Sequence, residues 1–380
     1  MALWAALVAT GLAATGLVAC DHDDAPSGMH LSWQKSDLPA AAGERVVVRA
    51  ATWCDGRWVV VGATADAGGN TRPAVWSSTD AADWRAVRLH PGHDYYAARA
   101  ILFSVGCARG RVAVLGAKSG GAHGNPRTAT WRERSDGSLA AVSAAFELFG
   151  GPNAVSVSRL TGGPTGYLIA GTRTGGATVW TSRTGDPFRI HEDAPGLAST
   201  EQRRTQALDA VWWQGAWTVA GTATDDTGRP SGTAWRGTGD GAWTASRLPG
   251  GRTITTAERL ALTDDGPLAV GFVDRAFGVW SDRDERWALV STFGRQDPDA
   301  TSAAYVSGVA WTGSLLAAAY SDGATYHLAV GPTRGLDGVP LPAPVVVRGD
   351  TTVSVAAHGS SLLLLTDDGS GAHVWLAHAA

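Results

Sequence analysis

Lysine is almost missing from this 380-residue chain. Only Lys35 and Lys118 occur, so arginine supplies nearly all of the positive charge. Charged residues make up 17% of the chain and the formal net charge is -4. No basic stripe forms, which excludes the electrostatic footprint of a nucleic-acid partner. Helical periodicity is missing as well. No convincing amphipathic helix follows residue 28, so α/β and bundle folds are excluded. Catalytic signatures are also absent: there is no Gly-x-Ser-x-Gly elbow and no His-Glu-x-x-His pair. The glycine-rich Gly237-Thr238-Gly239-Asp240-Gly241 has no helix behind it to cradle a phosphate, so it reads as a turn. Glycine itself is abundant at 49 residues, and tryptophan at 17. Glycine supplies positive φ in tight turns and tryptophan supplies large area on a pleated face, so together they point to short strands joined by tight turns. At 44% hydrophobic the chain can bury a sizeable core, and its length suits two average domains or one large all-β domain.

The first segment stands apart. MALWAALVATGLAATGLVAC is apolar from Ala2 to Ala19, ends on Cys20, and is followed at once by Asp21, His22, Asp23 and Asp24. Leu17-Val18-Ala19-Cys20 resembles the lipobox of bacterial lipoproteins, whose cysteine is acylated and becomes the mature N-terminus. The resemblance implies a signal peptide over 1–20, lipidation at Cys20 and a flexible tether over 21–29. The chain departs from that family's pattern in having no Lys or Arg before the apolar run. An ordinary secretory signal or an uncleaved span is the alternative. One acyl chain anchors marginally, whereas two or three anchor stably. The expectation is therefore a folded part held at the outer side of the cytoplasmic membrane. With Cys20 lipidated, Cys54 and Cys107 remain as an even pair in an oxidising compartment.

The rest of the chain repeats itself. Each unit opens with a strand that ends in a short Gly-containing turn, as in ATWCDGRW. A second, strongly apolar strand ends in Gly plus a small residue: VVVGAT, VAVLGAK, LIAGTR, TVAGTA, LAVGFV. A third strand ends in a tryptophan: Trp76, Trp131, Trp180, Trp235, Trp280 and Trp375. A polar turn leads to a fourth strand, usually opened by an aromatic residue: Trp84, Phe188, Trp243 and Trp287. Four short strands at a period of roughly 45–55 residues are the pattern of propeller blades. Second strands centred near Val60, Val114, Ile169, Val219, Val270, Ala318 and Leu364 count seven of them. The expected fold is an all-β, seven-bladed β-propeller over residues 30–380. The sixth unit lacks the third-strand tryptophan and the seventh stops after three strands. His30 to Pro39 (HLSWQKSDLP) matches the fourth strands WRAVRLHPG and WTASRLPG. It is expected to close the ring as the outer strand of the last blade and to cover an otherwise open sheet edge. Cys54 and Cys107 fall at matching places in consecutive units, just before the first-to-second strand turn, and are expected to bridge neighbouring blades.

The third-to-fourth turn carries a resemblance. Ser78-Thr79-Asp80-Ala81-Ala82-Asp83-Trp84 is similar to the Asp-box of sialidase-like propellers, roughly Ser-x-Asp-x-Gly-x-x-Trp, one residue shorter. Looser copies occur at Ser281 to Trp287, with Asp284, and at Gly239 to Trp243, with Asp240. Ser135-Asp136-Gly137 keeps only the turn. Asp and Ser side chains bond turn amides there, and the Trp seals the turn. The resemblance implies fold rather than catalysis, because such boxes lie on the face opposite the active site. Phe188-Arg189-Ile190-His191 is similar to that family's Phe-Arg-Ile-Pro motif, but it sits in the third unit with His for Pro. By position it is a fourth strand, and Arg189 is not expected to be catalytic.

The sequence names no reaction. His90, His93 and Asp94 have zinc-ligand types but read as the tips of a Pro-Gly turn between blades. Asp225-Asp226 and Asp367-Asp368 lack EF-hand spacing and read as hairpin turns. No cofactor or metal is expected. Trp212-Trp213 reads as core packing, with one ring buried between blades. If a site exists, it belongs to the long loops on one face. Those loops hold Tyr95, Tyr96, Arg99, Arg203, Arg204 and Arg259 as candidate ligand-binding residues. Glu201, Glu258, Asp297 and Tyr305 lie beside them. Aromatic residues with arginines suit a carbohydrate, anionic-ligand or protein partner. The resulting expectation is a monomeric, lipid-anchored binding or interaction module. A sialidase-like or glycan-lyase-type enzyme at the same face is the alternative, and a structural envelope protein is a third.

Overall fold

The computed structural model describes residues 29–120 and 124–379. The expected signal peptide, its lipidated Cys20 and residues 21–28 of the tether lie outside the described residues. Short apolar runs such as Val59-Val60-Val61 and Leu362 to Leu365, closed by turn residues, form strands buried on both faces. Seven sheets result, antiparallel but for one short pair on blade 2, and the chain is a seven-bladed β-propeller.

From the axis outward, blade 1 holds Arg45–Cys54, Arg57–Ala65, Thr71–Ser78 and Arg85–Ala86. Blade 2 holds Ile101–Ala108, Arg111–Ser119, Pro126–Glu133 and Leu139–Val142. Blade 3 holds Ala154–Gly163, Gly166–Arg173, Gly176–Ser182 and Arg189–His191, which places Arg189 on a fourth strand. Blade 4 holds Arg203–Trp213, Ala216–Asp225, Pro230–Gly237 and Thr244–Arg247. Blade 5 holds Arg259–Thr263, Gly266–Val273, Ala276–Arg283 and Arg286–Phe293. Blade 6 holds Tyr305–Trp311, Leu316–Ser321, Tyr326–Gly331 and Asp337–Val339. Blade 7 takes Thr352–His358, Ser361–Asp367 and Ala372–His378 from the end of the chain and Gln34–Ser36 from its start. Gln34 lies opposite Leu376 and Ser36 opposite Val374, so the ring closes with strands from both ends. Met29, Leu31 and Trp33 pack on the core between blades 6 and 7.

One strand differs from its expected course. WRAVRLHPG is split between two blades. Arg85–Ala86 pairs with the third strand of blade 1, but Leu89–His90 pairs in parallel with Leu139–Val142 on the outer edge of blade 2. Val87 and Leu89 cause the departure, because both pack into the core between blades 1 and 2.

The third-strand tryptophans Trp76, Trp131, Trp180, Trp235 and Trp280 are fully buried. Three of them donate their indole N–H to the connector that enters their own blade: Trp76 to Pro39 O at 2.8 Å, Trp180 to Leu148 O at 2.7 Å, Trp280 to Pro249 O at 2.6 Å. The glycine that ends each second strand stands two residues beyond the partner of this tryptophan. In blades 1 to 4 the facing first strand slips by one residue opposite that glycine, between Val48 and Ala50, Leu102 and Ser104, Val157 and Arg159, and Ala207 and Asp209. Such a bulge pushes first-strand backbone toward the second strand. A Cβ on Gly62 would lie 1.8 Å from Val47 O, and one on Gly221 1.8 Å from Gln206 O. Blade 7 has no slip, and Thr366 stands at this position. Blade 6 exchanges the volumes. Tyr320 replaces the glycine, Ala329 replaces the tryptophan, and Gly308 appears on the slipped first strand. Its aromatic ring reaches the core from the second strand.

Cys54 and Cys107 form a disulfide between the innermost strands of blades 1 and 2, with their Cα atoms 5.5 Å apart. A bridge closing a loop of this length typically contributes about 2–4 kcal/mol. Trp212 and Trp213, expected in the core, are each only half-buried at the end of their strand, where Trp212 packs edge-on against Trp217 at 5.0 Å.

The turns are held by aspartates. Asp80 Oδ1 accepts hydrogen bonds from Ala82 N and Asp83 N, both at 2.9 Å, and from Ser78 Oγ at 2.8 Å. Asp225 accepts from Thr227 N and Arg229 N, and Asp368 from Ser370 N and Gly371 N. The Asp83 and Ala82 amides, with Ser78, pull the Asp80 carboxyl down to about 2, and Ser370 and the Gly371 amide do the same for Asp368. Asp66, Asp136 and Asp225 shift in the same direction. A carboxyl depressed on folding contributes stability that is complete above its unfolded pKa and is lost as pH falls through its folded one. The melting temperature should therefore hold steady above about pH 5 and fall progressively between about pH 4 and 2. Glu258 and Asp282 oppose this trend, since burial raises both carboxyls, but they are two groups against several. A thermal scan flat down to the lowest pH would exclude the turn carboxylates as stabilisers.

Candidate functional site

Antiparallel order puts the first-to-second and third-to-fourth turns at one end of every blade. The second-to-third turns and the connectors between blades share the other end, the loop face. Two features of the loop face carry polar groups in unusual settings: the channel mouth and a groove on blade 2.

Each junction between blades has a tie, most of them at the inner strands around the channel. The disulfide joins blades 1 and 2. Leu160 N donates to Ser104 Oγ at 3.0 Å between blades 2 and 3, and Ser158 Oγ donates to Ala207 O at 3.2 Å between blades 3 and 4. Leu260 N donates to Asp209 Oδ2 at 3.0 Å, and Val306 N donates to Glu258 Oε2 at 2.6 Å. Tyr326 OH donates to Thr351 O at 2.9 Å. Asp367, fully buried at the end of blade 7's second strand, accepts from Arg45 at 3.1 Å and Arg49 at 2.7 Å and so joins blade 7 to blade 1.

Arg259, read from the sequence as a loop residue, stands within this ring. Its Nε donates to Ser307 O at 3.3 Å, and Arg159, from blade 3 across the axis, approaches the same oxygen at 3.5 Å. Burial and the Arg159 charge pull the Arg259 guanidinium down to about 10. Glu258 and Asp209 each have both oxygens engaged: Glu258 by Thr256 Oγ1 and Val306 N, Asp209 by Ala210 N and Leu260 N. Burial raises the Tyr305 hydroxyl, and its hydrogen bond to Tyr326 adds to the effect. Carboxylates, arginines and a tyrosine do meet here, but they hold blades together.

The other sequence candidates lie elsewhere on the face. Arg203 and Arg204 open the first strand of blade 4, the former half-buried and the latter exposed. Tyr95, Tyr96 and Arg99 come together on the connector from blade 1 to blade 2. Arg99 lies 4.2 Å over the Tyr95 ring, and Tyr95 meets Tyr96 edge-on at 5.3 Å. Asp94 Oδ1 fixes this bend by accepting from Tyr96 N at 2.7 Å and Ala97 N at 2.9 Å. His90 is in the strand pair with Ala140, apart from that turn. No group of three or more metal-ligating side chains gathers among the described residues.

Behind Tyr96 opens a cavity of about 610 Å³. Its walls are this connector, the start of blade 2's third strand, and the segment that leaves blade 2 through the short helix Phe146–Phe149. Arg127 lies 4.3 Å over the Phe146 ring and 5.8 Å from the Tyr96 ring. Phe146 remains 52% exposed, an uncommon state for a large apolar side chain beside a cavity. Two buried polar atoms on the lining residues have no hydrogen-bond partner, Arg127 Nε and Thr130 Oγ1. The sequence reading missed Arg127 and Phe146. The available signal was FELF, three apolar residues in a connector between blades.

No protein-family model matches the sequence, and no curated protein is similar to it. Among solved structures, the Dos1 propeller aligns over 91% of this chain and 96% of its own at 10% identity and a TM-score of 0.49. A protein of unknown function from Dyadobacter fermentans aligns over 92% and 99% at 11% identity and a TM-score of 0.46. Trypanosoma rangeli sialidase aligns over 92% of this chain at 12% identity and a TM-score of 0.44, and this chain spans 59% of the sialidase's length. The propeller described above rests on its own strand order.

Proposed function

We propose that the chain is an exported, lipid-anchored propeller that binds its ligand in the blade 2 groove. The observation that carries this reading is the cavity itself. It joins an exposed aromatic ring, a guanidinium over that ring and two unpartnered buried polar atoms on a rigid scaffold. The enzyme alternative needs a free carboxylate at the channel mouth. Glu258 and Asp209 are held by backbone amides of neighbouring blades, and this supports binding over catalysis.

Topology supports a direction for the proposed anchor. Gln34–Ser36 runs antiparallel to Ala372–His378, so the chain enters blade 7 from the turn face. A lipid on Cys20 would hold that face toward the membrane and leave the loop face, with the groove, pointing away from it. Cys20→Ser should release the protein from membranes and abolish its labelling by a fatty-acid analogue.

For the groove, the test is ligand capture by the full chain on a glycan array. Ala145→Trp, which fills the cavity, and Phe146→Ala should each abolish capture with little change in melting temperature. Asp80→Ala, Asp240→Ala and Asp284→Ala on the turn face should lower melting and spare capture. Arg259→Ala belongs with that structural set, because it leaves the channel cluster unbalanced. Capture that survives both groove variants would move the working site elsewhere.

A further inference from the structure

We infer, building on the groove reading, that the ligand carries a carboxylate on a ring and that Arg127 receives the carboxylate. A guanidinium offers five N–H donors in one plane. Arg127 Cζ stands 4.3 Å over the Phe146 ring, and the Tyr96 ring lies at 5.8 Å. Neither ring is an in-plane acceptor, so the guanidinium N–H groups suit an acceptor supplied by a ligand. Arg127 Nε is buried and has no hydrogen-bond partner among the described residues, a costly arrangement for a charged group. Asp94 is the acid on the cavity wall. Its Oδ1 is occupied by the Tyr96 and Ala97 amides, and it makes no ion pair with Arg127. Arg127 therefore has no carboxylate partner among the described residues, although Asp94 keeps a negative charge on the same wall, and a ligand carboxylate can supply that partner. A carboxylate fits those N–H groups in the two-bond geometry that arginine favours.

Thr130 adds a second polar demand. It is 1% exposed, and its hydroxyl has no partner although it lines the same cavity. The rest of the wall is mixed: Phe146, Phe149, Pro126, Ala129 and Ala145 supply apolar surface, and His93, Thr128 and Ser143 add polar groups. A volume of about 610 Å³ holds one or two rings, and a ring lies well against the open part of Phe146. An aromatic acid and a sugar acid share this chemistry.

The test titrates phenylacetate and glucuronate, with phenylacetamide and glucose as neutral controls, into the purified full chain by ligand-observed NMR. Each acid is compared with its own control. At least one acid should bind about ten- to a hundred-fold more tightly than its control, the usual effect of a charge-assisted hydrogen bond. Whichever acid shows that preference identifies the source. Arg127→Gln should erase the preference without moving the melting temperature. Arg127→Lys should restore part of it, and Thr130→Val should weaken the acid alone. Equal binding of acid and control, or a preference that survives Arg127→Gln, would overturn the carboxylate assignment. If that equal binding is lost in Ala145→Trp, the groove still stands as the site. Failure of both acids to bind up to about 10 mM would also overturn the assignment. An array ligand still captured by both Ala145→Trp and Phe146→Ala would remove the groove reading itself.

Discussion

A chain that begins at Gly43 should melt far below one that begins at Asp21, and it should associate in solution. The missing residues include the strand Gln34–Ser36, which supplies the outer edge of blade 7. With it go Met29, Leu31 and Trp33, all packed on the core of blades 6 and 7, and Leu38, buried between blades 7 and 1. Trp76 and Trp84 also lose acceptors for their indole N–H groups, Pro39 O and Ser36 Oγ. Burying a large apolar side chain typically contributes about 1.5–3 kcal/mol, so the combined loss is on the order of 5 kcal/mol or more. That is comparable with the whole stability of many domains, about 5–15 kcal/mol. The newly bared edge of Ala372–His378 offers unpaired backbone groups to a second copy. The ion pairs of Asp367 with Arg45 and Arg49 survive this cut, so the experiment isolates the strand from the polar tie. Melting curves and light scattering read the outcome, and a peptide of residues 29–42 should restore both. An equal melting temperature with clean monomer behaviour would show that closure is ornamental.

Closure could be read from the sequence because a fourth strand has a local signature: an aromatic residue, a short polar alternation and a Leu-Pro ending. The seven second strands were legible for the same reason, since each is a self-contained apolar run with a glycine stop. Relations across blades were less legible. Leu89–His90 looks like the end of a blade 1 strand, and only the core between blades 1 and 2 draws it onto blade 2. Arg259 follows a polar loop in sequence, yet the ring of first strands turns it into the channel beside Arg159. The groove was hidden because its parts lie on three separate segments: Tyr96 on one connector, Arg127 on a strand, Phe146 on the next connector. Of these, Tyr96 alone belongs to a run that reads as a binding loop.

Gly221→Ala should be among the most damaging single substitutions in the chain, although it adds one methyl group. A Cβ at Gly221 would sit 1.8 Å from Gln206 O, 2.9 Å from Gln206 C and 3.1 Å from Ala207 Cα. All three are backbone atoms, so no rotamer change relieves the contact. Relief requires the slip between Ala207 and Asp209 to flatten. Flattening it moves Asp209, whose Oδ2 holds Leu260 N at 3.0 Å, so the strain passes from blade 4 into its tie with blade 5. Overpacking of this kind typically costs about 1–3 kcal/mol, and a rigid backbone neighbour argues for the upper end. Two other glycines separate this effect from glycine loss in general. Gly215 has open space around it but φ of 80°, so Gly215→Ala should cost about 1–2 kcal/mol from backbone strain alone. Gly338 has open space and no such φ, so Gly338→Ala should change stability by less than about 0.5 kcal/mol. Denaturant melts should rank the three as Gly221 worst, Gly215 intermediate and Gly338 neutral. Were Gly221→Ala as harmless as Gly338→Ala, the glycine at the end of the second strand would not be there to admit the bulge, and the bulge would have to be held by something else.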